Sequence, residues 1–125
     1  EHFDAGRDLH LVLANPDIVY PASPGRFGFT SGSIARLLEA GLAARYPSRE
    51  VRFVILGTPS PPLFDAARAR YPEGRMVMVG DQLVTDIRGA GDYGLDAVLV
   101  GSGVVRLQDL EPNSPLRPNY VMASL

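Results

Sequence analysis

The sequence predicts an α/β fold built on a parallel, three-layer sheet, and three observations carry that expectation. Short apolar runs alternate with amphipathic stretches from one end of the chain to the other, the order that β-α-β units produce. Two of the runs, MVMVG at 76–80 and AVLVG at 97–101, show no polar alternation, as expected of parallel strands covered on both faces. The stretches between runs carry helix start and stop residues.

Taken in order, LHLVLAN (9–15) reads as the first strand. PDIVYPASPGRFG follows as a turn-rich connection, because three prolines and two glycines interrupt any regular element. TSGSIARLLEAGLAARY predicts a helix with Thr30 or Ser31 as N-cap and Ile34, Leu37, Leu38 and Leu42 along one face. VRFVILG (51–57) is the next strand. TPSPPLFDAARARY restarts a helix, with Ser60 suited to the N-cap, Pro61 to the first turn, and Leu63, Ala67 and Tyr71 spaced four apart. After MVMVG, a helix from about Leu83 to Tyr93 buries Leu83, Ile87 and Ala90, and Gly94 stops it. AVLVG, a Pro-rich loop and a last strand in NYVMASL complete the chain.

Composition removes several classes of function. With 125 residues, 46% of them hydrophobic, and a formal net charge of −2, the chain can bury one modest core. It contains no cysteine, which excludes disulfides, thiolate metal sites and cysteine nucleophiles within it. The slightly acidic balance argues against nucleic acid as a partner, since phosphate backbones are held mainly by clustered Lys and Arg. No apolar run approaches the roughly 20 residues that span a bilayer, and EHFDAGRD is charged where a signal peptide is apolar. A cytoplasmic protein with no membrane partner is the expectation. All 12 basic residues are arginine.

The chemistry-bearing stretch is MVMVGDQLVTDIRGAGDYG (76–94). In parallel α/β sheets, ligands bind beyond the carboxyl ends of the strands, where Asp81 falls. Gly80 gives the backbone room to turn, and Asp86 follows in the first turn of the next helix. Two carboxylates converging there suit a hard divalent cation such as Mg²⁺, which takes oxygen ligands and shares its shell with water and phosphate. The plainer alternative is that Asp86 is favourable charge in a first helical turn and Asp81 an ordinary turn residue.

In wider context, GDQLVTDIRGAGDYGLDAVLVGSGV resembles the fourth motif, with its following strand, of the haloacid dehalogenase-like (HAD) phosphohydrolases. The resemblance is to subclass IIA, the 4-nitrophenylphosphatase group with a large α/β cap. LGTPSPPLFDAA is similar to that group's third motif, LANPDIVYP to its T-N-P-D segment, GFTSGSIARLLEA to its G-x-G-S-(I/L) helix start, and SPLRPNYVMASL to its closing strand. The resemblance implies a Mg²⁺-dependent phosphatase of small phosphorylated metabolites that works through an aspartyl-phosphate. Asp81 would then lie at the metal with Asp86 supporting it, and Asn15 and Asp17 in a cap segment facing the substrate; Asn-Pro-Asp is equally a common turn former.

Two features depart from the family pattern. The first motif, D-x-D-G-(T/V), which supplies the nucleophile, occurs nowhere in the sequence, and no second-motif Ser/Thr precedes the cap. The third motif has Thr58 in GTPSP where the family has lysine, so a hydroxyl that donates a hydrogen bond replaces a charge. Arg68 and Arg88 are the arginines within these residues that can be considered as substitutes. The alternative for Thr58 is a turn residue leading to the Ser60 cap.

The resemblance divides the chain into a returning part of a cap (1–56) and the C-terminal part of a Rossmann-like core (57–125). In that core the nucleophile strand adjoins MVMVG, so here the MVMVG edge is expected to be exposed and adhesive. It would be covered by self-association, by a missing N-terminal half or by a rearranged sheet. Two function classes stand: part of a phosphohydrolase, or a non-catalytic remnant used in binding or assembly. GFTSGS offers hydroxyls and N–H groups that either hold an anion or cap the helix. His2 and His10 lack metal-ligand spacing; His10 reads as a hydrogen-bonded sheet residue, and Arg26 as a solvated loop arginine.

Overall fold

The computed structural model describes residues 4–7, 9–111 and 113–125, so His2 lies outside the described residues. Seven strands and three α-helices follow in the order β1 (Leu11–Leu13), β2 (Val19–Ser23), β3 (Arg26–Phe29), α1 (Ser31–Arg45), β4 (Phe53–Ile55), α2 (Pro61–Arg70), β5 (Val77–Gly80), α3 (Arg88–Tyr93), β6 (Asp96–Val100) and β7 (Tyr120–Met122). The fold is α/β, with parallel pairing wherever a helix connects two strands of one sheet. β1 pairs with β4 in parallel, and β5, β6 and β7 form a parallel sheet in that order. Strand pairing is thus split around Leu56: β4 joins only β1, and the three later strands join one another.

The turn-rich reading of 16–28 is corrected. Val19–Ser23 and Arg26–Phe29 form an antiparallel hairpin, turned at Pro24 and Gly25, with an irregular register between Pro21 and Ser23. Pro21 fits because it sits in a two-stranded ribbon beside that irregularity, where a missing N–H costs little. Gly25 has φ +74°, a left-handed conformation that glycine adopts without a Cβ penalty.

The helices form where expected, but two of them turn a different face inward. In α1 the buried residues are Gly32 and Ala35, whereas Ile34 and Leu37 are 60% and 74% exposed. In α2 the buried residue is Phe64, which stacks on Tyr93 with ring centroids 5.1 Å apart, while Leu63 and Tyr71 are exposed. Helical spacing identified an apolar stripe in each case, and most of each stripe is exposed among the described residues. Neither Thr30 nor Ser60 makes a side-chain cap bond, although each occupies the N-cap position.

The core lies around β6. Ile87, Ala90, Ala97 and Leu99 form a buried cluster against which Met78, Leu83 and Leu107 pack. The expected burial of Ile87 and Ala90 is therefore met, and Gly94 ends α3 in a left-handed conformation. The reading of MVMVG as a strand without a wet face is corrected: β5 is an edge strand, with Val77 51% and Val79 40% exposed. β7 at the opposite edge is exposed along its length. An apolar groove of about 690 Å³, lined by Val77, Val98, Tyr120, Val121 and Met122 among others, runs across this face.

Candidate functional site

Asp81 directly follows β5, and Asp86 returns to it through a π-helical turn. Residues Leu83–Ile87 are wound with the wider spacing, and the N–H groups of both Asp86 and Ile87 donate to the Gln82 carbonyl, at 3.1 and 3.2 Å. Such turns are frequent at functional sites, because the extra residue re-aims a side chain. Here it points the Asp86 carboxylate back over the end of β5. Asp86 Oδ2 accepts from the backbone N–H of Asp81 at 3.0 Å and of Gln82 at 3.1 Å. Asp86 Oδ1 accepts from the Thr58 hydroxyl at 3.0 Å. Thr58 and Asp86 are each only 9% exposed.

Asp81 is held differently. Its Oδ2 accepts from the Val104 N–H at 2.7 Å, and its own carbonyl accepts from the Val105 N–H at 3.2 Å. No donor among the described residues reaches Oδ1. Glycine is required on both sides of this pair: a Cβ at Gly80 would collide with the Asp86 carboxylate, and one at Gly103 with the Asp81 carboxylate. The sequence reading used Gly80 and overlooked Gly103, whose signal is its place just after the β6 run, where a second loop closes over Asp81.

The Asn15–Ile18 segment is braced against the start of α1. Asn15 Oδ1 accepts from the Asp17 N–H at 2.8 Å, closing a local turn. The Ser31 hydroxyl donates to the Asn15 carbonyl at 2.9 Å, and the Thr30 hydroxyl donates to the Asp17 carbonyl. The hydroxyls of GFTSGS are therefore committed to carbonyls of this segment, neither capping the helix nor left open for an anion.

Asp17 adjoins the aspartate pair. Partial burial and the nearby charges of Asp86 and then Asp81 push its carboxyl above the ordinary range, while the Gln82 side chain acts the other way. Its Oδ1 is enclosed without a hydrogen-bond partner among the described residues. No arginine among those residues forms an ion pair with Asp17, Asp81 or Asp86. Arg68 instead donates to the Gly74 carbonyl at 2.7 Å, and Arg88 is exposed. His10 is corrected from strand to exposed connection, preceding β1; Arg26 is exposed at the start of β3.

The site is thus three carboxylates with no positively charged side chain among the described residues paired to them. Hard oxygen donors, one unengaged Asp81 oxygen and one orphaned Asp17 oxygen fit part of a divalent cation's shell. They do not complete one: among the described residues no group of three acidic, His or Cys side chains is spaced to hold a metal by itself. A cavity of about 490 Å³ lies between the β2–β3 turn and the 101–106 loop, lined by Phe27, Gly103, Val104 and Arg106 among others; Gly103 and Val104 adjoin Asp81, but none of the three carboxylates lines it.

Residues 55–125 match the HAD-hydrolase-like family model, more than half of the chain, and the chain belongs to that family. Over 109 residues it is 37% identical to the glycerol-3-phosphate phosphatase of Rattus norvegicus, covering 85% of this chain and 32% of that protein. A possible sugar phosphatase of the HAD superfamily from Cytophaga hutchinsonii superposes with a TM-score of 0.74 at 28% identity, over 98% of this chain and 44% of that one. The glycerol phosphate phosphatase of Mycobacterium tuberculosis, solved in complex with magnesium, superposes with a TM-score of 0.69 at 30% identity, over 96% of this chain and 34% of that one. The chain therefore spans well under half the length of these relatives. No helix among the described residues is long and apolar enough to cross a membrane.

Proposed function

We propose that these residues form part of a Mg²⁺-dependent phosphohydrolase that removes phosphate from a small phosphorylated metabolite through an aspartyl-phosphate. The observation that carries this reading is the unengaged oxygen of Asp81 at the tip of β5, in a carboxylate cluster that no positively charged side chain among the described residues pairs with. An uncompensated cluster of this kind favours a bound cation. When bound, Mg²⁺ offsets charge on the transferring phosphoryl group. Asp81 is its ligand in this chain; Asp86, whose oxygens are taken by three donors, supports Asp81 through the backbone it grips.

The remaining roles belong to the same proposal. Asn15 and Asp17 face the substrate from the cap side, Asn15 with an amide free to donate and Asp17 with its orphaned oxygen. We place the division between cap and core at residues 56 and 57, where strand pairing changes partner. The nucleophile comes from outside these residues, from the length of the relatives that this chain does not span. That part pairs with the bare β5 edge; a second copy of the chain is the other occupant that fits an open edge. The setting is the cytoplasm, where charged metabolites are retained because crossing a bilayer is costly for a charge.

The test compares these residues alone with a longer protein that also carries a D-x-D-G segment. With Mg²⁺, the longer protein releases phosphate from glycerol phosphate or 4-nitrophenyl phosphate, and the residues alone are slower by several orders of magnitude for want of a nucleophile. Equal, Mg²⁺-dependent turnover by both contradicts the roles assigned here.

A further inference from the structure

We propose that Thr58 is a positioning residue for the cation site, acting through Asp86; the proposal rests on the reading of Asp81 as the metal ligand. A hydroxyl cannot supply the charge of the family's lysine, but in this fold it does something the sequence did not reveal. It is buried, and it donates to the one oxygen of Asp86 that the backbone does not already use. With that bond, the carboxylate has donors on both oxygens and a single orientation. The other oxygen then grips the N–H groups of Asp81 and Gln82 and fixes the turn on which the Asp81 side chain stands. Val104 completes the clamp by binding Asp81 Oδ2, which leaves Oδ1 as the available ligand atom.

The chain of contacts runs Thr58 hydroxyl, Asp86 carboxylate, Asp81 backbone, Asp81 side chain. It links the segment after β4 to the turn after β5 across 28 residues of sequence. Without the hydroxyl, Asp86 Oδ1 becomes a buried carboxylate oxygen with no donor, and the side chain gains by rotating toward water. Each step away from its present rotamer loosens Asp81.

Three forms of the chain test this: wild type, Thr58→Val, which keeps the shape and removes the donor, and Thr58→Ser, which keeps the donor. Amide exchange at Asp81 and Gln82 is followed by NMR without metal, and Mn²⁺, an oxygen-preferring probe, is then titrated while broadening of the same signals is read. A hydrogen bond to a charged group is worth about tenfold or more in an equilibrium. Thr58→Val is expected to speed exchange at both amides and to weaken Mn²⁺ binding by about that factor, with Thr58→Ser close to wild type. Amides of Leu99 and Val100 in β6 serve as controls. If they accelerate equally in the valine form, the fold itself is loosened, and the serine form decides: wild-type behaviour upholds the proposal, valine-like behaviour overturns it. Unaltered exchange and binding in Thr58→Val also overturns it. If exchange responds as expected but Mn²⁺ leaves the Asp81 loop untouched in every form, Thr58 does position the turn and the metal reading of Asp81 fails instead.

Discussion

The Thr58 hydroxyl lies 3.0 Å from Asp86 Oδ1, a buried contact in which a neutral donor stands where the family resemblance leads one to expect lysine. The contact holds the aspartate turn in place but brings the cluster no positive charge. In a longer protein carrying the nucleophile, Thr58→Lys supplies that charge while its ammonium can still donate to Asp86. One well-placed electrostatic group contributes about a hundred- to a thousandfold to the rate. The lysine form is expected to gain that much in kcat/KM on one phosphomonoester at fixed Mg²⁺; an unchanged value means either that an arginine already supplies the charge or that the site is no longer built for this chemistry.

Removing the Asp86 carboxylate is expected to be more damaging than changing its charge. Asp86→Ala strands three donors in a partly buried turn, and each unsatisfied group costs about 1 to 3 kcal/mol. Asp86→Asn keeps an acceptor for the two backbone N–H groups, and its amide can donate to the threonine oxygen. Urea denaturation should rank wild type above Asn and Asn above Ala, the alanine form losing at least about 2 kcal/mol. Equal stability of the two variants would mean that the three bonds contribute little.

Gly103→Ala places a methyl group against the Asp81 carboxylate and also against the Asp81 Cβ, which no side-chain rotation moves, so the 103–104 loop has to back away and the Val104 N–H leaves the carboxylate. Overpacking of this kind costs about 1 to 3 kcal/mol. The expected signature is local: the Val104 amide signal shifts and exchanges faster, while the amides of β6 keep their protection. An unmoved Val104 signal contradicts the clamp.

Asp17 gives the site a pH dependence. Burial holds its carboxyl above the ordinary value, so on acidification the folded protein takes up this proton before the unfolded chain does. Between the ordinary carboxylate range and the raised value the folded state binds more protons, and stability contributed here falls as pH rises through that window. The penalty is complete above both values and absent below both. Asp17→Asn should therefore be more stable than wild type at neutral pH, by at most about 1 kcal/mol because the group is partly in water. The gap should close as pH falls into the carboxylate range, near about pH 4. A gap that is constant with pH would assign the effect to something other than this proton.

Much of this was readable in the residues. The unbroken apolar run and left-handed glycine stop placed β6 and the end of α3, because both signals are local and the core around Ala97 and Leu99 agrees with them. Asp81 and Asp86 were singled out from an equally local signal, and the structure joins them through the Asp81 N–H and the Asp86 carboxylate. The hairpin at 19–29 was missed because its prolines and glycines mark turns as readily as a short two-stranded ribbon. The buried faces of α1 and α2 were misjudged because periodicity reports where apolar residues cluster, and only packing reports which of them find a neighbour. Thr58 was recognised as a departure from the motif, but its bond to Asp86 spans 28 positions and depends on a π-helical turn that no local pattern announces.

The proposed role of Asp81 as metal ligand is put to the test by a Mg²⁺ titration of wild type and Asp81→Asn. Asparagine keeps an oxygen for the Val104 N–H, so the turn survives while the anionic ligand is lost. Mg²⁺ is expected to shift the amide signals of Asp81, Gln82 and Val104 in wild type, and Asp81→Asn to require at least about tenfold more Mg²⁺ for the same response, as removal of a metal-supporting carboxylate typically does. An identical titration in the two forms would place the metal elsewhere and contradict the account.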